Sequence, residues 1–342
     1  MARAFVTGGS GFLGGALVAG LIERGDEVVA LARSDEAATA LEAHGARVAR
    51  GDTVDEDALA AGMQGCDIVY HVAGMNTMCP DDPVEMIHVN VRGAEAAVRA
   101  TARAGIERLV LTSSAASLGE ERGTVGSEAS PHRGWYMSVY ERSKHEGEVA
   151  ALAAGERTGV QVVSVNPSSV QGPGRAGGTG RIMIAYLNGR LRAFVHTNIS
   201  IVDIRDCVRG HLLAADRGAA GDRYVLNGVT MTSAEALEVV AGMTGVRESP
   251  RFLPPAIAQA AATVAETGFK VAGKHPPFCR AMVRTLLHGH RYDGSKAARE
   301  LGFEYTPVRD TFARTIEWAL AEGLVKRPLP AWPGSRPGRP GT

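Results

Sequence analysis

The first half of the chain alternates short runs of β-branched residues with longer segments of helical periodicity. Strands are predicted at residues 4–7, 27–32, 47–50, 68–72 and 108–112, and helices between them at 12–24, 35–44, 57–63 and 84–104. Strands that alternate with helices pair in parallel, because each connecting helix crosses over a face of the sheet. Right-handed crossovers then produce a doubly wound sheet of the Rossmann type. The predicted fold class is therefore α/β, with helices on both faces of a parallel sheet.

A glycine motif lies between the first predicted strand and the first predicted helix. Its glycines are spaced as Gly8-x-x-Gly11-x-x-Gly14. Glycines at these places allow a tight turn, close approach of the backbone to a pyrophosphate, and close packing of helix on strand. The N–H groups of the helix start, around Phe12 and Leu13, also attract phosphate. We therefore expect a bound dinucleotide; the alternative is a glycine-rich turn in a domain that binds none.

The end of the second predicted strand indicates which cofactor is used. NAD-preferring sheets place an acidic residue about 20 residues after the glycines, where it binds the ribose 2′-OH. Here Ala32 stands at that place and Arg33 follows it. A guanidinium pairs well with a 2′-phosphate, which favours NADP(H). NAD(H) stays possible if Arg33 is only a solvated surface arginine.

Other cofactor contacts are expected where the later strands end. These positions are Asp52, Thr53, Val72, Ala73, Gly74 and Thr112. Asp52 could accept a hydrogen bond from the adenine amino group, or it could serve as a helix N-cap.

The chain after these strands is predicted to form a second region. We assign residues 1–166 to a dinucleotide-binding Rossmann domain, completed by about 196–228, where two short strands look as if they return to the sheet. Residues 167–327 are expected to form mainly a smaller substrate-binding region. The tail at 328–342 is rich in proline and glycine and is expected to be disordered.

A tyrosine and a lysine one helical turn apart carry the predicted chemistry. In Tyr140-x-x-x-Lys144 both side chains share one helix face. An ammonium beside a phenol lowers the tyrosine pKa, so that the tyrosine can act as a general acid/base near neutral pH. Ser114, at the end of the fifth strand, could hydrogen-bond both the tyrosine and a substrate oxygen. The alternative is a surface helix with an exposed tyrosine and lysine, next to a turn-forming serine.

Taken in this order and spacing, the motifs resemble the extended branch of the short-chain dehydrogenases/reductases, the NAD-dependent epimerase/dehydratase family. The resemblance covers nearly the whole chain. Residues 180–189 and 201–228 are similar to the dihydroflavonol-reductase-like group and to relatives of 3β-hydroxysteroid dehydrogenases. The diphosphate-binding arginine of nucleotide-sugar epimerases has no counterpart at His196-Thr-Asn-Ile, although Arg175, Arg181 or Arg192 could take its place.

The resemblance implies roles for the matching residues. Tyr140 would be the acid/base, Lys144 its pKa modulator and ribose anchor, and Ser114 the partner of the oxyanion. Asn90 would support Lys144 through bound water. Pro167 and Val170 would line the nicotinamide pocket. The resemblance also implies a homodimer formed through the two long helices.

Composition limits the partners. Lys+Arg and Asp+Glu both number 37, so no net charge attracts nucleic acid. No apolar run reaches the ~18 residues of a membrane span, and no signal peptide precedes the first strand, so a cytoplasmic location is expected. The four cysteines, Cys66, Cys79, Cys207 and Cys279, are scattered. We therefore expect reduced thiols, with neither a disulfide nor a metal site.

Three functions fit these observations. The first is reduction of a ketone or aldehyde, or oxidation of the alcohol, with NADP(H) as hydride carrier and Tyr140 as acid/base. The second is a sugar epimerase or dehydratase that recycles a bound NAD(P). The third is a catalytically silent cofactor sensor, which the intact set of Ser114, Tyr140 and Lys144 argues against.

Overall fold

A computed structural model of the chain describes residues 1–276 and 278–333. Its strands are β1 (Arg3–Thr7), β2 (Glu27–Ala32), β3 (Arg47–Arg50), β4 (Ile68–His71), β5 (Arg108–Thr112), β6 (Gln161–Pro167), β7 (Ser169–Gln171), β8 (Ala193–Phe194), β9 (Asn198–Asp203), β10 (Arg223–Leu226), β11 (Val229–Thr232) and β12 (Arg251–Phe252).

The helices cover both faces of the sheet and build most of the second region. They are α1 (Phe12–Glu23), α2 (Asp35–Ala43), α3 (Glu56–Gly62), α4 (Pro83–Ile87), α5 (Gly93–Arg103), α6 (Val139–Thr158), α7 (Gly178–Leu187), α8 (Ile204–Arg217), α9 (Ser233–Thr244), α10 (Pro255–Val271), α11 (Arg280–His288), α12 (Ser295–Ala297) and α13 (Val308–Ala321). A wider π-helical turn, His88–Arg92, joins α4 to α5. Among the described residues, no helix is long and apolar enough to cross a bilayer.

The central sheet has seven strands in the order β10-β6-β5-β4-β1-β2-β3. Every neighbouring pair in it is parallel. The predicted doubly wound α/β fold is therefore confirmed. The strand order reverses between β1 and β4, and the crevice outside their carboxyl ends is the usual ligand site of such sheets.

Two apolar layers hold the helices onto the sheet. Successive side chains of a strand point to opposite faces. Accordingly, Ala4 and Val6 of β1 pack in a buried cluster with residues of α1 and α8, whereas Phe5 packs with residues of α3, α5 and α6. All three β1 side chains are fully buried. This packing fixes the glycine loop that follows β1 against the sheet.

The return of residues 199–203 to the large sheet, expected from the sequence, is wrong. β9 pairs with β7 in parallel and with β11 antiparallel, which makes a separate three-stranded sheet. The reason is that β7, which comes almost directly after β6 in the chain, leaves the large sheet. β9 then pairs with β7 instead of with a strand of the large sheet. Only β10 rejoins the central sheet, beside β6.

The prediction of a disordered tail from residue 328 onward is wrong for residues 328–333. Leu329 is 1% exposed and packs in the apolar cluster around α9 and α13. The Ala331 N–H donates to the Thr244 carbonyl at 3.0 Å. The proline and glycine content of the tail therefore predicted disorder wrongly for residues 328–333, which are packed onto the protein by apolar side chains. Residues 334–342 lie outside the described part of the chain.

The expectation of four reduced thiols is also wrong, because Cys79 and Cys279 form a disulfide. Their Cα atoms are 6.0 Å apart although 200 residues separate them along the chain. The bond joins the loop after β4 to the residue that precedes α11. Spacing along the sequence cannot reveal such a pair, since only tertiary packing brings the two segments together. Cys66 and Cys207 stay free and buried.

The disulfide predicts a countable chemical property. Thiol titration of the denatured, unreduced protein should find two free cysteines, because two of the four are joined. Dithiothreitol should lower the free energy of unfolding by about 2–4 kcal/mol, since it removes a cross-link over a long loop. A Cys79→Ala/Cys279→Ala double variant is the control and should not respond to the reductant. Four free thiols would contradict the bond.

Candidate active site

One cavity of about 730 Å³ opens at the carboxyl edge of the central sheet. The sequence-predicted residues that line it are Gly8, Gly11, Phe12, Leu13, Gly14, Arg33, Asp52, Thr53, Val72, Ala73, Gly74, Thr112, Ser114, Tyr140, Lys144, Pro167 and Val170. They come from the ends of six strands and from the starts of α1 and α6. Of the predicted residues, Asn90 alone lies behind the wall instead of in it.

The glycine loop has the shape of a phosphate cradle. Gly8 has a φ of +70°, and a Cβ there would lie 2.6 Å from the Ala73 nitrogen. A Cβ on Gly14 would lie 2.7 Å from the Gly8 carbonyl carbon and closer still to its oxygen. No side chain caps the first turn of α1, so its N–H groups stay available to an anion. These residues fit a dinucleotide pyrophosphate.

The far end of the cavity carries Arg33 and Asp52. The Arg33 side chain is 78% exposed, and its Nη1 lies 3.6 Å from Asp52 Oδ2. Asp52 does not cap a helix, because Asp55 is the N-cap of α3. Asp52 Oδ1 accepts a hydrogen bond from the Val54 N–H at 3.2 Å. Both side chains line the cavity, where they could meet the adenosine half of a dinucleotide.

Tyr140, Ser114 and Lys144 meet at the near end of the cavity. Ser138 caps α6, and the first turns of this helix place Tyr140 and Lys144 on the cavity wall. Burial raises the pKa of Tyr140, and a hydrogen bond with Ser114 together with the charge of Arg175 opposes that rise. The sequence assigned the lowering influence to Lys144. In the structure Lys144 Nζ donates instead to the Thr112 carbonyl at 3.2 Å.

Lys144 is itself a perturbed group. Burial lowers its pKa to about 8, and the nearby charge of Glu148 partly opposes this. The ammonium is therefore easier to deprotonate than a surface lysine. A buried lysine with a lowered pKa on a cavity wall is typical of a functional site.

Asn90 is a buried side chain that connects two segments beside the cavity. It lies in the π-helical turn that joins α4 to α5 and is buried. Its Oδ1 accepts from the Met75 N–H at 2.7 Å, and its Nδ2 donates to the Met75 carbonyl and to Ser143 Oγ. The Asn90 amide and Lys144 Nζ both face Gly74, where a Cβ would come within 3.0 and 3.3 Å of them. Asn90 thus ties the loop after β4 to the helix that carries Lys144.

Sequence reasoning missed a buried carboxylate, Glu148. It accepts hydrogen bonds from Ser117 Oγ at 2.7 Å and Asn166 Nδ2 at 2.6 Å, and it also contacts Ser113 and Arg223. The signal was available, because Glu148 is four residues after Lys144 on the same helix face. Glu148 supplies the nearest negative charge to the Lys144 ammonium.

Sequence reasoning also missed a cluster opposite Tyr140. His290 Nδ1 lies 2.6 Å from Glu120 Oε1 and 2.9 Å from the Tyr292 hydroxyl, and His288 Nε2 lies 3.6 Å from Glu120 Oε1. His290 and Tyr292 line the cavity. The 2.6 Å separation is that of a hydrogen bond, shorter than the roughly 3.3 Å between two ligands on a tetrahedral zinc ion. No local pattern could pair Glu120 with residues that follow α11.

Comparisons with known proteins agree with this geometry. Residues 4–227 match the family model described as NAD dependent epimerase/dehydratase family. The chain is 33% identical over 331 residues to a putative dihydroflavonol 4-reductase of Synechocystis, covering 94% of this chain and 96% of that protein. It is 31% identical over 330 residues to sterol demethylase protein B of Methylococcus capsulatus, covering 94% and 99%.

Among solved structures, the crystal structure of gox2253 superposes with a TM-score of 0.82 at 29% identity, covering 95% of this chain and all of that one (100%). Sequence similarity and structural similarity therefore indicate the same family. The chain belongs to the NAD-dependent epimerase/dehydratase family, within the extended short-chain dehydrogenases/reductases, and is an NAD(P)-dependent oxidoreductase.

Proposed function

We propose that this protein reduces a ketone or aldehyde with NADPH, or oxidises the corresponding alcohol, with Tyr140 as the general acid/base. The observation that carries the proposal is that Tyr140, Ser114 and Lys144 line the same cavity as the glycine loop, at the carboxyl edge of the central sheet. A nicotinamide bound there supplies or accepts the hydride.

The chain's own residues handle the oxygen and its proton. The Ser114 hydroxyl donates a hydrogen bond to the substrate oxygen, which stabilises the negative charge that develops there. The Tyr140 phenol gives its proton to that oxygen during reduction and removes it during oxidation. Lys144 would hold the nicotinamide ribose and add positive charge near the phenolate. Asn90 would position Lys144 by tying the loop after β4 to Ser143 of α6, and Glu148 would favour the charged form of Lys144.

We infer a preference for NADP(H) from Arg33, and this yields a prediction. Arg33→Ala should lower the ratio of kcat/KM for NADPH to that for NADH by about tenfold, because one charge-assisted contact to the 2′-phosphate is lost at an exposed site. Arg50→Ala is the matched control, since Arg50 is an exposed arginine nearby that pairs with Asp35. An unchanged ratio in Arg33→Ala, or a wild-type preference for NADH, would overturn this assignment.

A spectroscopic assay tests the proposed reaction. Loss of reduced-nicotinamide absorbance is followed with NADPH over a panel of ketones and aldehydes, and product is quantified in the same samples. Equimolar cofactor consumption and alcohol formation would support the reductase. Turnover of a nucleotide sugar without net cofactor consumption would favour an epimerase or dehydratase and refute our proposal.

We also infer a homodimer in the cytoplasm. The segment 83–103 and helix α6 would form the interface, which agrees with the exposure of Val84 (76%) and Val149 (53%). Light scattering would test the dimer: a monomeric mass would refute it. Cell fractionation would test the location, which matters because a stable disulfide is unusual in that compartment.

A further inference from the structure

Arg175 is a guanidinium at the cavity wall that has no anionic partner among the residues the structure describes. It lies in the glycine-rich segment between β7 and α7, half-buried, with its Cζ 5.5 Å from the centre of the Phe12 ring. Its Nε is buried without a hydrogen-bond partner. In the described ranges 1–276 and 278–333, no carboxylate contacts it, and burial is the main influence on the guanidinium, whose pKa it lowers. Burying an arginine in this way is unfavourable unless an anion joins it.

The start of α7 adds a second unmet positive feature. This ten-residue helix has Gly177 as N-cap, no side-chain cap and no acidic residue in its first turn. The first-turn N–H groups therefore present the positive end of the helix dipole. Arg175 packs directly against this turn, since a Cβ on Gly178 would lie 2.8 Å from Arg175 Nη2. Guanidinium and helix start thus act on the same small volume.

The charge distribution of the cavity points the same way. The cationic groups at its near end are Lys144 and Arg175, and Asp52 is the acidic residue among the described lining residues, at the far end. An anion near Arg175 would therefore meet no carboxylate. Apolar side chains of Ile182, Phe194 and Ile199 line the cavity beside it.

We propose that Arg175 and the first turn of α7 form a binding subsite for a carboxylate of the substrate, so that the substrate is a keto or aldehyde acid with a hydrocarbon portion. This inference rests on the proposed carbonyl reduction. The pyrophosphate of the cofactor is already served by the glycine loop and α1. Arg175 lines the same cavity as Tyr140 and Ser114, so an anion bound to it would belong to the molecule that carries the reacting carbonyl. A planar guanidinium binds carboxylate through two parallel hydrogen bonds.

The test compares a neutral and an anionic substrate that differ in one group. The kcat/KM of the wild-type enzyme is measured for 3-oxooctanoate and for its methyl ester, and the acid-to-ester ratio is repeated with Arg175→Gln. Loss of one charge-assisted carboxylate contact should lower the ratio about 10- to 100-fold. Arg181→Gln, an exposed arginine on α7, is the matched control and should keep the wild-type ratio. Arg175→Lys should retain an intermediate ratio, which excludes misfolding as the cause.

A binding experiment separates this proposal from the reaction itself. In a Tyr140→Phe background with NADPH, calorimetry should show tighter binding of 3-oxooctanoate than of the ester, and Arg175→Gln should remove the difference. That result would stand even if turnover failed. Equal binding of acid and ester, or an unchanged ratio in Arg175→Gln, would overturn the subsite. A tenfold weaker NADPH affinity in Arg175→Gln with an unchanged ratio would assign the guanidinium to the cofactor and likewise overturn it.

Discussion

Replacing Tyr140 by phenylalanine should lower kcat for carbonyl reduction by about 100- to 10,000-fold, the contribution of a positioned general acid. Tyr140 is buried and lines the cavity together with Ser114, and phenylalanine keeps the ring while removing the hydroxyl and its proton. The affinity for NADPH and the thermal midpoint should change little, because the lost atom is one oxygen. Steady-state kinetics, fluorescence titration and thermal melts measure the three quantities.

Tyr136→Phe is the matched control for this substitution. Tyr136 lies four residues earlier and packs against the rings of His132 and His145, and it is not among the residues that line the cavity. Its variant should retain wild-type kcat. Full activity in Tyr140→Phe would remove the proposed acid/base. Equal losses in both variants would indicate disturbed packing of the loop instead of lost proton transfer.

Replacing Gly14 by alanine should abolish cofactor binding and destabilise the fold by about 3 kcal/mol, the upper range for an overpacked site. The added methyl would lie 2.7 Å from the Gly8 carbonyl carbon, which is backbone and cannot rotate away. Gly8 cannot retreat, because it packs against the backbone of Ala73. The loop must therefore move, and the phosphate cradle with it.

Gly242→Ala is the control for the general effect of alanine in a helix. Gly242 lies in α9, and a Cβ there meets nothing within 4 Å. That variant should be stabilised by up to about 1 kcal/mol, since alanine favours helix more than glycine does. Denaturant unfolding and NADPH titration measure both variants. Unaltered NADPH affinity in Gly14→Ala would refute the assignment of this loop to the cofactor.

The sheet and the cofactor side of the site were predictable because their signals are local. Gly8, Gly11 and Gly14 stand between a strand and a helix, and the short spacing alone determines what the turn can do. Tyr140 and Lys144 are one helical turn apart, so they share a face in any helix. Residues at the carboxyl ends of parallel strands converge on one edge, which explains why Thr112, Ser114 and Val72 lie in the same cavity.

The substrate side was not predictable, because its residues meet only through tertiary packing. Arg175 lies in an irregular glycine-rich segment whose path no periodicity describes. Glu120 and His290 are 170 residues apart, and Cys79 and Cys279 are 200 apart. The prediction that β9 joins the central sheet was wrong for the same reason, because the sequence of a short strand does not indicate which sheet it joins. The composition of the tail predicted disorder at Leu329, but burial of this one apolar side chain keeps the segment ordered despite the prolines on both sides.

Isotope transfer from cofactor to product measures net hydride transfer to a carbonyl. The enzyme is incubated with a carbonyl compound that it reduces and with NADPH deuterated at C4. The two faces of C4 are labelled in separate experiments, and the product is examined by mass spectrometry. Carbonyl reduction predicts one deuterium per alcohol molecule from one of the two labelled faces, with one cofactor consumed, and almost no labelled alcohol from Tyr140→Phe. An unlabelled product formed without net cofactor consumption would contradict it and identify an epimerase or dehydratase.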